Sequence, residues 1–140
     1  MDEIEFFIEG DPVAQGRPRL STRGNHARAY DPPRSKKWKQ FVRMAATPFA
    51  PEIPWSEPIA AQLVFIFARP KARKKDQYMV TRPDLDNLEK AIYDSLEGLY
   101  YEDDKQISWQ TAQKVYTQER HPEPGVKIRL MKRKGEDAGA

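Results

Sequence analysis

Residues 59–68, IAAQLVFIFA, are apolar at nearly every position and are fenced by Pro58 and Pro70. The run is too short to span a membrane, which takes about 20 residues. It also lacks the polar alternation of a half-exposed strand. Such a segment is stable as an inner strand, apolar on both faces, with other strands beside it.

The flanking patterns supply those neighbours. In IEFFIEG, residues 4–10, Ile4, Phe6 and Ile8 share one face and Glu5 and Glu9 the other, and Gly10-Asp11-Pro12 ends the strand. Between Arg34 and Ala46, Trp38, Phe41, Val42 and Ala45 recur at helical spacing against a Lys- and Arg-rich face. Leu85, Leu88, Ile92 and Leu96 form a second helical stripe, with Asp86, Lys90, Asp94 and Glu97 opposite, and Gly98 supplies the stop. Ile107, Trp109, Thr111, Gln113 and Val115 alternate as a strand, and so do Val126, Ile128 and Leu130 after the turn HPEPG. The order β-α-β-α-β-β predicts an α+β (mixed α/β) fold, a single sheet of about four strands with two helices packed on it. Residues 1–131 are expected to form one domain and residues 132–140, KRKGEDAGA, a disordered tail.

Composition narrows the chemistry. Cysteine is absent, which excludes disulfides, thiolate metal sites and a cysteine nucleophile. Histidine occurs only as His26 and His121, far apart in sequence, so histidine-rich metal sites are disfavoured. No apolar run is long enough for a membrane span and the start MDEIEFFIEGD lacks a signal peptide's features, so a cytoplasmic location is expected. A metal held by this chain would be held by carboxylates.

Charge is strongly segregated although the net value is only +3. From Asp84 to Asp104 there are eight carboxylates (Asp84, Asp86, Glu89, Asp94, Glu97, Glu102, Asp103, Asp104) against Lys90 alone. Residues 17–43 carry nine Lys or Arg, among them Arg17 and Arg19, against Asp31 alone, and Arg69, Lys71, Arg73, Lys74 and Lys75 stand just upstream of the acidic block. Asp84 reads either as a helix N-cap, with Asp86 complementing the helix dipole, or as half of an Asp-x-Asp metal pair. Crowded carboxylates raise one another's pKa unless a cation neutralises them, and Mg2+ suits such a site because it takes a few carboxylates and completes its shell with water and phosphate oxygens. Lys90 reads either as an i,i+4 partner of Asp86 or as a cation for a phosphate transition state. Cationic loops around a carboxylate pocket suit a phosphate polymer.

The stretches RPDLDNLEKAIYDSLEG and YEDDKQI, with a weaker match in GDPVAQGRPRL, resemble the RusA-type Holliday junction resolvases of bacteria and their prophages. The resemblance implies metal-binding aspartates at Asp84, Asp86 and Asp104, with Asp103 as a neighbouring or alternate ligand. It also implies a catalytic lysine at Lys90 and a homodimer that nicks four-way DNA junctions in pairs with Mg2+, in recombination and repair. Arg17, Arg19, Arg69, Lys71, Arg73, Lys74 and Lys75 are then expected to grip the DNA backbone. Two alternatives use the same residues. Pro83-Asp84 with Asp103-Asp104-Lys105 matches a PD-(D/E)xK nuclease acting on other branched DNA, with Lys105 in place of Lys90. A non-catalytic DNA-binding regulator would use the acidic helix as a partner surface. The nuclease reading requires Asp84, Asp86 and Asp104 to converge on one ion.

Overall fold

The computed structural model describes residues 2–16, 19–21 and 28–133, with residues 19–21 and 28–30 described in their backbone only. Its elements are β1 (Glu3–Glu9), β2 (Arg19–Ser21), β3 (Arg28–Tyr30), α1 (Pro33–Ala46), β4 (Ile59–Phe67), α2 (Leu85–Leu96), β5 (Ile107–Tyr116) and β6 (Gly125–Lys132). The fold is α+β. A four-stranded mixed sheet has the order β1-β6-β4-β5, and β2 and β3 pair as a separate antiparallel ribbon.

The apolar run becomes β4, an inner strand that pairs antiparallel with β6 and parallel with β5. The connection from β4 to β5 runs through α2, so this part of the chain is a β-α-β unit, and its helix lies antiparallel to both strands. Both helices cover the same sheet face. Trp38, Val42 and Ala46 of α1 and Leu88, Ala91, Ile92 and Leu96 of α2 pack with Ile4, Phe6 and Ile8 of β1, Ala61, Leu63 and Phe65 of β4 and Val126, Ile128 and Leu130 of β6. The opposite face carries no layer. There Arg129 pairs with Glu3 and reaches the Gln62 amide, so long side chains partly shield the middle of β4.

Three features depart from the sequence reading. The short β2–β3 ribbon lies within the basic segment, where no strand was expected from the sequence. The alternation read for β5 changes phase near its start: Ile107 packs against the core, but a register shift in the pairing with β4 between Ile59 and Ala60 follows, so that Ala112 packs against the core and Gln110 accepts a 2.7 Å hydrogen bond from Tyr93 Oη, while Trp109 remains 42% exposed. Lys132, assigned to the tail, belongs to β6. Its ammonium lies 3.1 Å from Glu57 and 5.3 Å from the Trp55 ring centroid, and Arg133 N–H donates to Pro58 O at 2.7 Å. The remainder of the expected tail, residues 134–140, lies outside the described residues.

Candidate active site

The acidic block folds into two groups held at opposite ends of α2. At the N-terminal end, Asp84 takes extended backbone angles as the residue before the helix, without capping through its side chain, and Asp86 stands in the first turn. Both side chains are exposed. Their position is fixed from β5: Lys114 Nζ donates to Thr81 O at 2.7 Å and to Pro83 O at 2.8 Å. A second tie comes from the N-terminal loop, where Gln15 N–H donates to Asn87 O at 2.9 Å. That hydrogen bond brings the entrance of the basic loop to the Asp84–Asp86 end. Arg17 lies outside the described residues, and for Arg19 only its place in β2 is described.

At the C-terminal end, Asp103 and Asp104 sit on a tight turn locked by Gln106. The Gln106 Oε1 accepts from the N–H groups of Glu102 and Asp103, each at 2.9 Å, while its Nε2 donates to Trp55 O and Glu57 O. Asp103 in turn caps Lys105 N–H at 2.8 Å, and Asp104 N–H donates to Glu97 Oε1 at 3.0 Å. The result is a carboxylate cluster: Glu97, Asp103 and Asp104 each place an oxygen within 4.8 Å of the others. Partial burial and the negative charges of Glu97, Asp103 and Asp94 push the Asp104 carboxyl above its ordinary pKa. Three hard oxygen donors whose repulsion is unrelieved are the chemistry a divalent cation fits.

Glu97 was read from the sequence as solvated helix surface, yet it completes this cluster. Its signal was its place one residue before Gly98, where the chain reverses toward the Asp103–Asp104 turn. Glu89 is likewise only partly exposed, and burial with the charge of Asp86 raises its pKa. Between the helix and β5 lies a cleft of about 390 Å3 lined by Tyr93, Asp104, Ile107, Ser108, Trp109 and Gln110.

Within one chain, therefore, Asp104 is brought to Asp103 and Glu97, and not to Asp84 and Asp86. The 12 residues of α2 separate the two groups by about 18 Å at 1.5 Å per residue. Lys90 is exposed on the polar side of α2, and Lys105 is exposed within the acidic turn.

The basic residues also divide. Arg69 is occupied in building its own loop: its guanidinium donates to Thr117 O, Arg73 O and Asp76 O and lies 5.5 Å from the Tyr116 ring centroid. Arg73 pairs with Asp76 at 3.0 Å. Lys71, Lys74 and Lys75 are exposed on this loop.

The family model described as endodeoxyribonuclease RusA matches residues 9–131. The chain belongs to the RusA endodeoxyribonuclease family. The matched span takes in both acidic groups, Lys90 and both basic loops. The chain is 36% identical over 140 residues to the uncharacterized protein YqaN of Bacillus subtilis (strain 168), covering 92% of this chain and 97% of that protein. It is 27% identical over 114 residues to the crossover junction endodeoxyribonuclease rusA of Lactococcus phage r1t, covering 81% of this chain and 87% of that protein. No helix among the described residues is long and apolar enough to cross a membrane.

Proposed function

We propose that this RusA-family chain is a Mg2+-dependent, structure-selective endonuclease that resolves four-way DNA junctions by paired nicks, with Asp84, Asp86, Asp103 and Asp104 as metal ligands and Lys90 as the catalytic cation. The observation that supports a metal at this acidic block is that Asp103 and Asp104 stand with Glu97 within 4.8 Å of one another, so Glu97 is a further candidate ligand, in a family described as endodeoxyribonuclease. The relative named as a crossover junction endodeoxyribonuclease supports the junction as substrate.

When bound, Mg2+ supplies Lewis-acid polarisation of a phosphodiester and a lowered pKa for water. The side chains of this chain do the rest. Asp84, Asp86 and Asp104 present hard oxygens, and Asp103 orients the turn that carries Asp104. Lys90, four residues beyond Asp86 on the exposed side of α2, balances the charge that builds on the phosphate in the transition state. Arg17, Arg19, Lys71, Lys74 and Lys75 hold the DNA backbone, while Arg69 shapes the loop that presents the lysines. Two opposed nicks require two copies of the site, which a two-fold homodimer supplies.

A labelled synthetic four-way junction tests this. With Mg2+ the protein is expected to leave symmetric nicks, and Asp86→Asn to keep junction binding while losing cleavage by about 10²-fold or more, the scale of removing one electrostatic stabiliser. Binding without cleavage under any divalent cation would refute the enzymatic reading.

A further inference from the structure

One acid stands against the charge of its surroundings. Residues 17–43 carry nine Lys or Arg and Asp31 alone among acids, and a carboxylate in a stretch that contacts phosphates repels them. The structure gives Asp31 other partners. Its Oδ2 accepts from Lys39 Nζ of α1 at 2.6 Å, and its Oδ1 accepts from Gln15 Nε2 at 2.8 Å. The side chains of Lys39 and Asp31 are only 18% and 30% exposed, and the Lys39 hydrogen bond holds the Asp31 carboxyl below its ordinary pKa. Asp31 is therefore charged, paired and largely withdrawn from solvent.

These bonds close the base of the β2–β3 ribbon, since Gln15 comes before β2 and Asp31 directly after β3. Beside them the two passes of the chain approach so closely that a Cβ on Gly16 would lie 2.5 Å from Pro32 Cγ. From the same place Gln15 N–H donates to Asn87 O, next to Asp86 in the first turn of α2. Asp31 thus joins three elements: the ribbon, α1 through Lys39, and through Gln15 the end of α2 that carries Asp84 and Asp86. The other amide atom, Gln15 Oε1, is buried with no hydrogen-bond partner among the described residues. A buried acceptor left unpaired works against stability, so the Gln15 amide is explained by what its Nε2 holds.

Building on the nuclease reading, we propose that Asp31 is a positioning residue: with Gln15 and Lys39 it clasps the base of the basic ribbon to both helices, so that Arg19 and Arg28 of the ribbon and the Asp84–Asp86 end engage one stretch of DNA as a unit. The clasp acts before the chemistry. A ribbon held at its base loses less freedom when DNA binds, so the clasp raises affinity and leaves the bond-breaking step untouched. The sign of its effect sets it apart from simple electrostatics. Were Asp31 only one more charge near the DNA, its removal would tighten binding. As a clasp, its removal weakens binding even though the segment becomes more positive.

Two measurements test this, one of them independent of cleavage. At fixed salt, Asp31→Ala is expected to weaken binding of a four-way junction about tenfold, the scale of ordering a few side chains only on binding. Single-turnover cleavage at saturating protein is expected to stay within about twofold, as when binding alone is lost. Gly16→Ala keeps every charge but forces the base apart, so it is expected to behave alike and replaces Asp31→Ala should that variant not fold by circular dichroism. Gln15→Leu combined with Asp31→Ala is expected to bind no more weakly than Asp31→Ala alone, because both remove the same bond. The second measurement is limited digestion with trypsin. Arg19, Arg23 and Arg28 lie between the clasped residues, and cleavage after them is expected to quicken in the folded variants while cleavage elsewhere is unchanged. Junction binding that stays the same or tightens in a folded variant, or an unchanged digestion pattern, would overturn the clasp. A saturated cleavage rate that falls as far as the affinity would also overturn it, by placing Asp31 in the chemistry. Weakened binding and quickened digestion in a protein that never cuts would uphold the clasp and refute the nuclease reading alone.

Discussion

At the residue scale, the chain spends its negative charge on two small tasks that a single helix keeps apart. Asp84 and Asp86 are exposed, whereas Asp104 stands close to Glu97 and Asp103 and its carboxyl is pushed upward. The acidic block was legible in the sequence because eight carboxylates around one lysine do not arise from surface solubility alone. Its division was not foreseen, although the length of α2 already implied it. Glu97 escaped notice because helical spacing put it with the polar face, and only the reversal at Gly98, whose φ is 80°, turns that face toward the acidic turn. Lys90 and Lys105 divide between the two enzymatic readings. Lys90→Ala is expected to lower cleavage at least about 10²-fold with junction binding nearly unchanged, and Lys105→Ala to leave the rate within a few fold. Loss at Lys105 alone, measured by single-turnover cleavage, would favour the PD-(D/E)xK assignment.

At the element scale, α2 is the part that positions everything else, and α1 supports it at one specific place. Arg43 of α1 donates to Ser95 O at 3.1 Å and to Glu97 O at 2.7 Å, satisfying carbonyls that a helix C-terminus leaves open. Thus Arg43, a member of the basic segment counted from the sequence, acts as a cap on the helix that carries the site. Arg43→Ala is expected to cost about 1–3 kcal/mol, read as a lower urea midpoint at unchanged slope. An unchanged midpoint would show that the cap is replaceable by water. The two principal helices and four main strands were legible because each carries a period or, in β4, an unbroken apolar run. The β2–β3 ribbon was not, since three-residue strands inside a Gly- and Pro-rich basic loop leave no alternation to read. The phase of β5 was misread only beyond Ile107, because the register shift beside Ile59 leaves no mark in the sequence, and past it the core side is taken by Gln110 and Ala112.

At the scale of the whole molecule, α2 holds an aspartate pair before its first turn and a carboxylate cluster after its last. A β-α-β unit puts the residues before and after its helix at opposite ends, so within one chain Asp104 stands apart from Asp84 and Asp86. Backbone contacts by Lys71, Lys74, Lys75 and the N-terminal basic loop from both copies predict steep salt dependence. Six or more phosphate contacts reduce affinity by about 10³-fold between 50 and 200 mM salt. A flat response in a fluorescence-anisotropy titration of the junction would exclude that mode of binding.

The most direct measurement is a crystal structure soaked with Mn2+ in place of Mg2+, with the ion located by its anomalous scattering. It is expected to show Mn2+ at the carboxylates that flank α2, with Asp104 and at least one of Asp84 and Asp86 holding metal. Soaked crystals in which none of these aspartates holds an ion would contradict it.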